Sequence, residues 1–226
     1  MTTNRSTKTF AYGIATGAAA IGVLAGSVLT ATSASAAAIS WGEFSTPDPV
    51  TGEFISLFAG DKKVTFYSED GPEPIGDDGA TVEFNKLTGD VYEFVFTPTN
   101  DTVRGAAFGF SYYIEILDPV FYFAGVQVAS DTTPNYGVAE KMVYEDDTFV
   151  NLVADVTSVN GSPSTFSPIL GQYQKLLVSD SVTPGSMEKI FSLSNKFTQR
   201  SPEPGTLLGL LAVGGLGMIS RFKRQK

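Results

Sequence analysis

The side chains able to do chemistry in this sequence fall into two sets, carboxylates and aromatics. Asp70, Glu73, Asp77 and Asp78 lie within nine residues, interspersed with glycine. Flexible acidic loops of this kind supply the oxygen ligands that calcium prefers. The spacing is not that of an EF-hand, which requires acidic ligands at alternate positions and a closing glutamate. A solvated turn therefore takes precedence, with Asp70, Asp77 and Asp78 kept as a secondary calcium candidate. Glu145-Asp146-Asp147 is a second acidic run. Three adjacent carboxylates in an extended segment cannot face one ion, so this run reads as a device that keeps a sheet edge from pairing. Among the aromatics, Trp41 is the single tryptophan, and Tyr112, Tyr113, Tyr122, Tyr136, Tyr144 and Tyr173 could form a flat platform for sugar rings. Core filling is the competing role for most of them. Tyr113 stands apart because its neighbours of the same parity, Ser111 and Glu115, are polar. Tyr113 and Trp41 are the two candidate ligand contacts.

Composition closes off much other chemistry. The 226 residues contain no Cys and no His. Disulfides, thiolate nucleophiles, imidazole bases and Cys/His metal sites are thereby excluded. A glycosidase needs only two carboxylates, but the many acidic residues single out no pair. No glycine-rich phosphate loop follows a strand and no nucleophile elbow is present. The chain is read as a non-enzyme without a cofactor, calcium aside.

The elements that must position these groups are strands. Phe108, Phe110, Tyr112, Ile114 and Ile116 alternate with Gly109, Ser111, Tyr113 and Glu115. Val150, Leu152, Ala154 and Val156 alternate with Asn151, Val153 and Asp155, and Tyr92, Phe94 and Phe96 alternate with Glu93 and Val95. Phe191, Leu193 and Phe197 share one parity. Period two with aromatic and β-branched enrichment marks half-buried strands. Turn signals separate the runs: Thr46-Pro47-Asp48-Pro49, the acidic loop from Glu69 to Gly79, Thr88-Gly89-Asp90, Pro134-Asn135, Asn160-Gly161-Ser162-Pro163 and Pro184-Gly185. Asp118-Pro119 splits a long aromatic stretch, which predicts two paired central strands. Ten or eleven short strands and no convincing amphipathic helix predict an all-β fold, an antiparallel two-sheet sandwich of jelly-roll type.

Both ends differ from this body. Residues 1–36 carry Arg5 and Lys8, an apolar run from Ala11 to Thr30, and Ala34 and Ala36 at the spacing a signal peptidase cuts. They read as a secretory signal peptide, with an uncleaved anchor as the competing reading. Residues 201–226 begin Ser201-Pro202-Glu203-Pro204, continue as an apolar Gly/Leu-rich stretch over residues 205–220, and end in the cations Arg221, Lys223, Arg224 and Lys226. Sixteen helical residues span about 24 Å, short of a ~30 Å hydrocarbon core, but flanking cations can snorkel. The terminal cations favour the cytoplasmic side. An ordinary single-span anchor is the competing reading for this end.

Pro202-Glu203-Pro204, the apolar stretch and the basic terminus, in this order at the extreme end, resemble the PEP-CTERM sorting signal of bacteria. Ser201 and the dilution of the cations by Phe222 and Gln225 depart slightly from its usual pattern. The resemblance covers about the last 26 residues. It implies transient membrane insertion through residues 205–220, recognition and cleavage by an exosortase, and delivery to the envelope or beyond, often into an exopolysaccharide matrix. Between the two ends, residues 37–200 carry nine Lys+Arg against 23 Asp+Glu, a net charge of −14. So acidic a body argues against nucleic acid and against anionic lipid surfaces. The expectation is an exported surface or matrix domain, processed by signal peptidase and exosortase. Its mature body is either structural and adhesive or a carbohydrate-binding module for exopolysaccharide.

Overall fold

A computed structural model describes residues 37–71, 75, 79–98, 107–185 and 188–201. The signal peptide, residues 202–226 of the sorting tail, and Asp77 and Asp78 of the calcium candidate lie outside these residues. Two antiparallel six-stranded sheets make up the domain. In chain order the elements are β1 (Ile39–Ser40), α1 (Trp41–Ser45), β2 (Ser56–Ala59), β3 (Lys62–Glu69), β4 (Thr81–Lys86), β5 (Val91–Thr97), β6 (Phe108–Ile116), β7 (Tyr122–Thr132), β8 (Gly137–Tyr144), β9 (Leu152–Val159), β10 (Ser167–Pro168), β11 (Lys175–Pro184) and β12 (Ile190–Arg200). The first sheet runs β1-β4-β5-β12-β7-β10 and the second β2-β3-β6-β11-β8-β9. From β5 onward, successive strands alternate between the two sheets until β8 and β9 pair. The resulting orders β5-β12-β7-β10 and β6-β11-β8-β9 are those of a jelly roll, as the alternation of the sequence predicts.

The period-two pattern works as expected where pairing is regular. In β6, Phe108, Phe110, Tyr112, Ile114 and Ile116 are all buried, and Tyr113 and Glu115 are half-buried on the opposite face. Aromatic rings from the two sheets meet in the interior. Phe94 of β5 lies 4.5 Å from Tyr112 of β6, and Phe96 lies 5.4 Å from Phe110. Truncating one such ring to alanine removes about 3–5 kcal/mol.

Three sequence expectations are corrected. The strands flanking Asp118-Pro119 do not pair. β6 joins β3 and β11, whereas β7 joins β12 and β10, so the turn crosses from one sheet to the other. A local turn signal fixes a reversal but not whether the chain returns to the same sheet. Strand parity also breaks at two bulges. Ala154 and Val156 are buried, but Leu152 is exposed, because the register shifts between Val143 and Tyr144 of the partner strand. Phe191 is exposed while Leu193 and Phe197 are buried, because of a shift between Ile190 and Ser192. A bulge inserts one residue and moves those beyond it to the other face. Finally, a five-residue helix is present at Trp41–Ser45. Ser40 accepts from the Glu43 backbone, and the Glu43 carboxylate receives the Ser40 backbone N–H, a capping box written in the sequence as Ser-Trp-Gly-Glu. Among the described residues no helix is long and apolar enough to cross a membrane.

Candidate functional site

The second sheet faces outward with a row of residues set by register. Tyr113 on β6 stands between Thr65 on β3 and Leu177 on β11, and Tyr144 on β8 follows Leu177. The adjacent row holds Lys63, Glu115 and Lys175. Glu115 receives Lys63 at 2.9 Å and Lys175 at 3.3 Å. Burial pushes the Glu115 carboxyl up, but the two lysines outweigh it and hold the group below its ordinary value.

Tyr113 is the centre of an aromatic cluster. Tyr67 meets it edge-on with ring centroids 5.2 Å apart, and Lys175 Nζ lies 4.0 Å above the ring. Tyr67 sits at a register shift in β3 between Phe66 and Ser68, the kind of irregularity that re-aims a side chain. The loop between β8 and β9 completes the cluster. Its Phe149 lies 6.0 Å from Tyr67 and 5.3 Å from Tyr144, and its Asp147 accepts from the Tyr113 hydroxyl at 3.3 Å. Burial and the Asp147 charge push the Tyr113 phenol up to about 12. Phe149 has φ 56°, a left-handed conformation that costs a bulky residue about 1–3 kcal/mol. It is held there while the residue stays 39% exposed. The face thus offers exposed ring surface beside two cations and three carboxyl-bearing positions, Glu115, Asp146 and Asp147.

The sequence candidates separate. Tyr113 lies in this cluster. Trp41 does not: it is 1% exposed, enclosed by Phe44, Phe66, Phe96 and Phe110 at 5.0–5.9 Å, and its Nε1 donates to Glu69 at 2.8 Å. The capping box starts the helix at Trp41 and turns the indole into the core, so it presents no platform. Tyr112, Tyr122, Tyr136 and Tyr144 are buried, and Tyr173 is half-buried. Asp70 accepts from the hydroxyls of Ser68 and Ser111, which occupy both carboxylate oxygens. Among the described residues no three Asp or Glu side chains converge as a metal site. The Glu145–Asp147 run borders the aromatic cluster rather than guarding an edge. A groove of about 670 Å³ beside α1 is lined by Trp41, Glu43, Asp48 and Glu69 among others. Its carboxylates are committed to local structure, Glu43 to the capping box, Asp48 to the turn at Val50 and Thr51, and Glu69 to Trp41 and Ile75.

Sequence reasoning missed Tyr67, Phe149 and Lys175. Tyr67 falls on the polar parity of β3, as Tyr113 does in β6, which is the one signal that could have paired them. Phe149 lies in a loop, and nothing local tells which face that loop covers.

No protein-family model matches the chain, and no curated protein matches it. Similar solved structures are carbohydrate-binding β-sandwiches and a phage domain. TmCBM61 in complex with β-1,4-galactotriose has 14% identity and TM-score 0.29, covering 59% of this chain and 87% of that one. A family 29 carbohydrate-binding module complexed with mannohexaose has 7% identity and TM-score 0.28, covering 65% and 86%. The enzymatically active domain of tailspike protein 4 of bacteriophage CBA120 has 14% identity and TM-score 0.29. That match covers 63% of this chain but only 19% of the phage chain.

Proposed function

We propose that this protein is an exported surface or matrix component whose outer sheet face holds a polysaccharide chain, binding it without cleaving it. The observation that carries the reading is the cluster of Tyr67, Tyr113 and Phe149 on one sheet face, with part of its ring surface open and with Lys175, Lys63 and Glu115 beside it. Apolar ring faces suit the C–H faces of sugars, and flanking charged groups suit their hydroxyls. The acidic body favours a neutral or metal-bridged glycan over a polyanion. Binding of the purified protein to an array of neutral and acidic polysaccharides, with and without calcium, tests this. Tyr113→Ala is expected to weaken binding about tenfold, equivalent to ~1.4 kcal/mol. Undiminished binding by that variant would move the site elsewhere, and absence of any glycan binding would favour a purely structural role.

Delivery is part of the same reading. Pro202, Glu203 and Pro204 are the exosortase recognition sequence, and the prolines disfavour helix before residue 205, so an extended segment meets the protease. Glu203→Ala is expected to accumulate an uncleaved, membrane-held form in the native cells. Normal maturation of that variant, followed by immunoblot of cell fractions, would remove the sorting role.

A further inference from the structure

Three polar side chains from three strands converge between the sheets. Lys141 on β8 and Asp180 on β11 stand directly opposite each other in the second sheet. Asn195 on β12, in the first sheet, reaches across the interior, and its Nδ2 donates to Asp180 Oδ2 at 2.5 Å. Lys141, Asp180 and Asn195 are each 1% exposed or less. Lys141 Nζ crosses toward the first sheet as well. It donates to the Gln127 carbonyl at 3.0 Å and lies 4.2 Å from the centre of the Phe197 ring. Gln127 is the register partner of Lys196, so the amine ends against the stretch of β12 that carries Asn195.

This arrangement makes little sense as a structural ion pair. Among the described residues, no carboxylate lies within ion-pair distance of Lys141, and the Tyr112 hydroxyl, Asp180 Oδ1 and Asn195 Oδ1 lie near one another without a hydrogen bond of good geometry. A half-satisfied polar group in a dry core is costly, and an unpaired ion more so. The chain also has no cysteine, so an exported sandwich of this kind has no disulfide to tie its sheets together.

We propose that Lys141 and Asn195 condense to an intramolecular amide bond between the two sheets, with Asp180 relaying the proton. The Lys141 Nζ lone pair attacks Asn195 Cγ, and a new C–N bond forms. As the amine swings from the Gln127 carbonyl to the amide, Asp180 in its neutral acid form takes a proton from Nζ and delivers one to Nδ2, the nitrogen it already touches. The Cγ–Nδ2 bond breaks, ammonia leaves, and Asp180 ends in its starting form. Nothing is oxidised or reduced and no co-reactant is needed.

The surroundings favour each requirement. Burial pushes the Lys141 amine below its ordinary range, against the Asp180 charge, and pushes the Asp180 carboxyl above its own. Both shifts favour the neutral amine and neutral acid the reaction uses. β8 and β11 are paired neighbours, and β12 faces them from the other sheet with Asn195 bonded to Asp180, which holds the three groups close enough for proximity to favour amide exchange. Phe197 and Tyr112 enclose the centre; burial and the nearby carboxylate push the Tyr112 phenol well up, so it stays neutral. With Lys141, Asp180 and Asn195 each 1% exposed or less, bulk water is kept from competing for the Asn195 carbonyl.

The test is mass spectrometry of a denaturing tryptic digest of the full chain, made without export machinery because the reaction needs only the folded domain. The expected product is a branched species joining the segment that contains Lys141 to the peptide Ile190–Lys196, lighter than the two together by about 17 Da, the mass of ammonia. Cleavage after Lys141 and a linear Ile190–Lys196 peptide with unmodified Asn195 would overturn the bond. So would a species lighter by about 18 Da joining Lys141 to Asp180, which is loss of water. Asp180→Asn, which keeps the side-chain shape, is expected to leave the two peptides unlinked; linkage at the native extent would overturn the relay. The digest of the native sequence decides the bond even if that variant fails to fold.

Discussion

Lys62 and Lys141 are both 0% exposed, yet their surroundings differ. Lys62 donates to Asp61 at 2.5 Å and lies 4.3 Å from the centre of the Tyr92 ring, while Tyr92 donates to the same carboxylate at 3.0 Å. Charge, ring and hydroxyl close around one another near the rim, where the Asp61 side chain keeps 28% exposure. Lys141 has a backbone carbonyl and a phenyl ring, and the nearest acid is engaged with Asn195. Lys62 is neutralised where it stands and has no reason to react. Lys141 is desolvated without neutralisation, which leaves its lone pair available. Burial alone does not make an amine reactive; burial without a counter-ion does.

The largest expected effect is on the Lys141 centre. Lys141→Arg cannot form the amide and is expected to lower stability by about 4 kcal/mol, the entropic value of closing a loop of roughly 55 residues. Thermal melting alongside the native protein checks this, and equal melting temperatures would mean that no cross-link stabilises the native form. Lys62→Met is expected to cost less, about 2 kcal/mol, because the stranded Asp61 can still reach solvent. Urea titration measures it; a cost as large as that of Lys141→Arg would erase the distinction between the two lysines.

The smallest effect concerns acid. Burial pushes the Asp61 carboxyl up, but Lys62 and the Tyr92 hydroxyl outweigh it, so its folded value lies below the ordinary 3.8. A lowered folded value means that the contribution is fully present above the unfolded value and is lost as pH falls below about 3.8 through the folded one. Asp61→Asn is expected to destabilise the protein at neutral pH and to flatten the loss of stability in that acid window. An unchanged acid slope in the variant would show that the pair does not carry it.

Both buried lysines were visible in outline along the chain. Lys62 begins the parity of Val64 and Phe66, Lys141 shares that of Ala139 and Val143, and Asn195 lies between Leu193 and Phe197. A polar residue on an apolar parity marks a buried polar group. Its partner is not marked, because a strand's alternation says which face a residue takes and not which strand lies opposite. Tyr113 was legible on the same logic, as an aromatic on a polar parity. Trp41 misled because a tryptophan in a short helix has no period to read, and the capping box that buries it went unrecognised.

By itself, the sequence determined the strands, the turns and the all-β class, since alternation and turn residues act through local sterics and the burial of one face. It also set the acidic charge of the body and the absence of thiol and imidazole chemistry. Only the tertiary structure decided that β6 and β7 belong to different sheets, that bulges expose Leu152 and Phe191, and that a distant loop lays Phe149 and Asp147 beside Tyr113. The meeting of Lys141, Asp180 and Asn195 is of the same kind. These are contacts between segments far apart in the chain, fixed by sheet pairing and by the packing of two sheets against each other, which no local preference encodes.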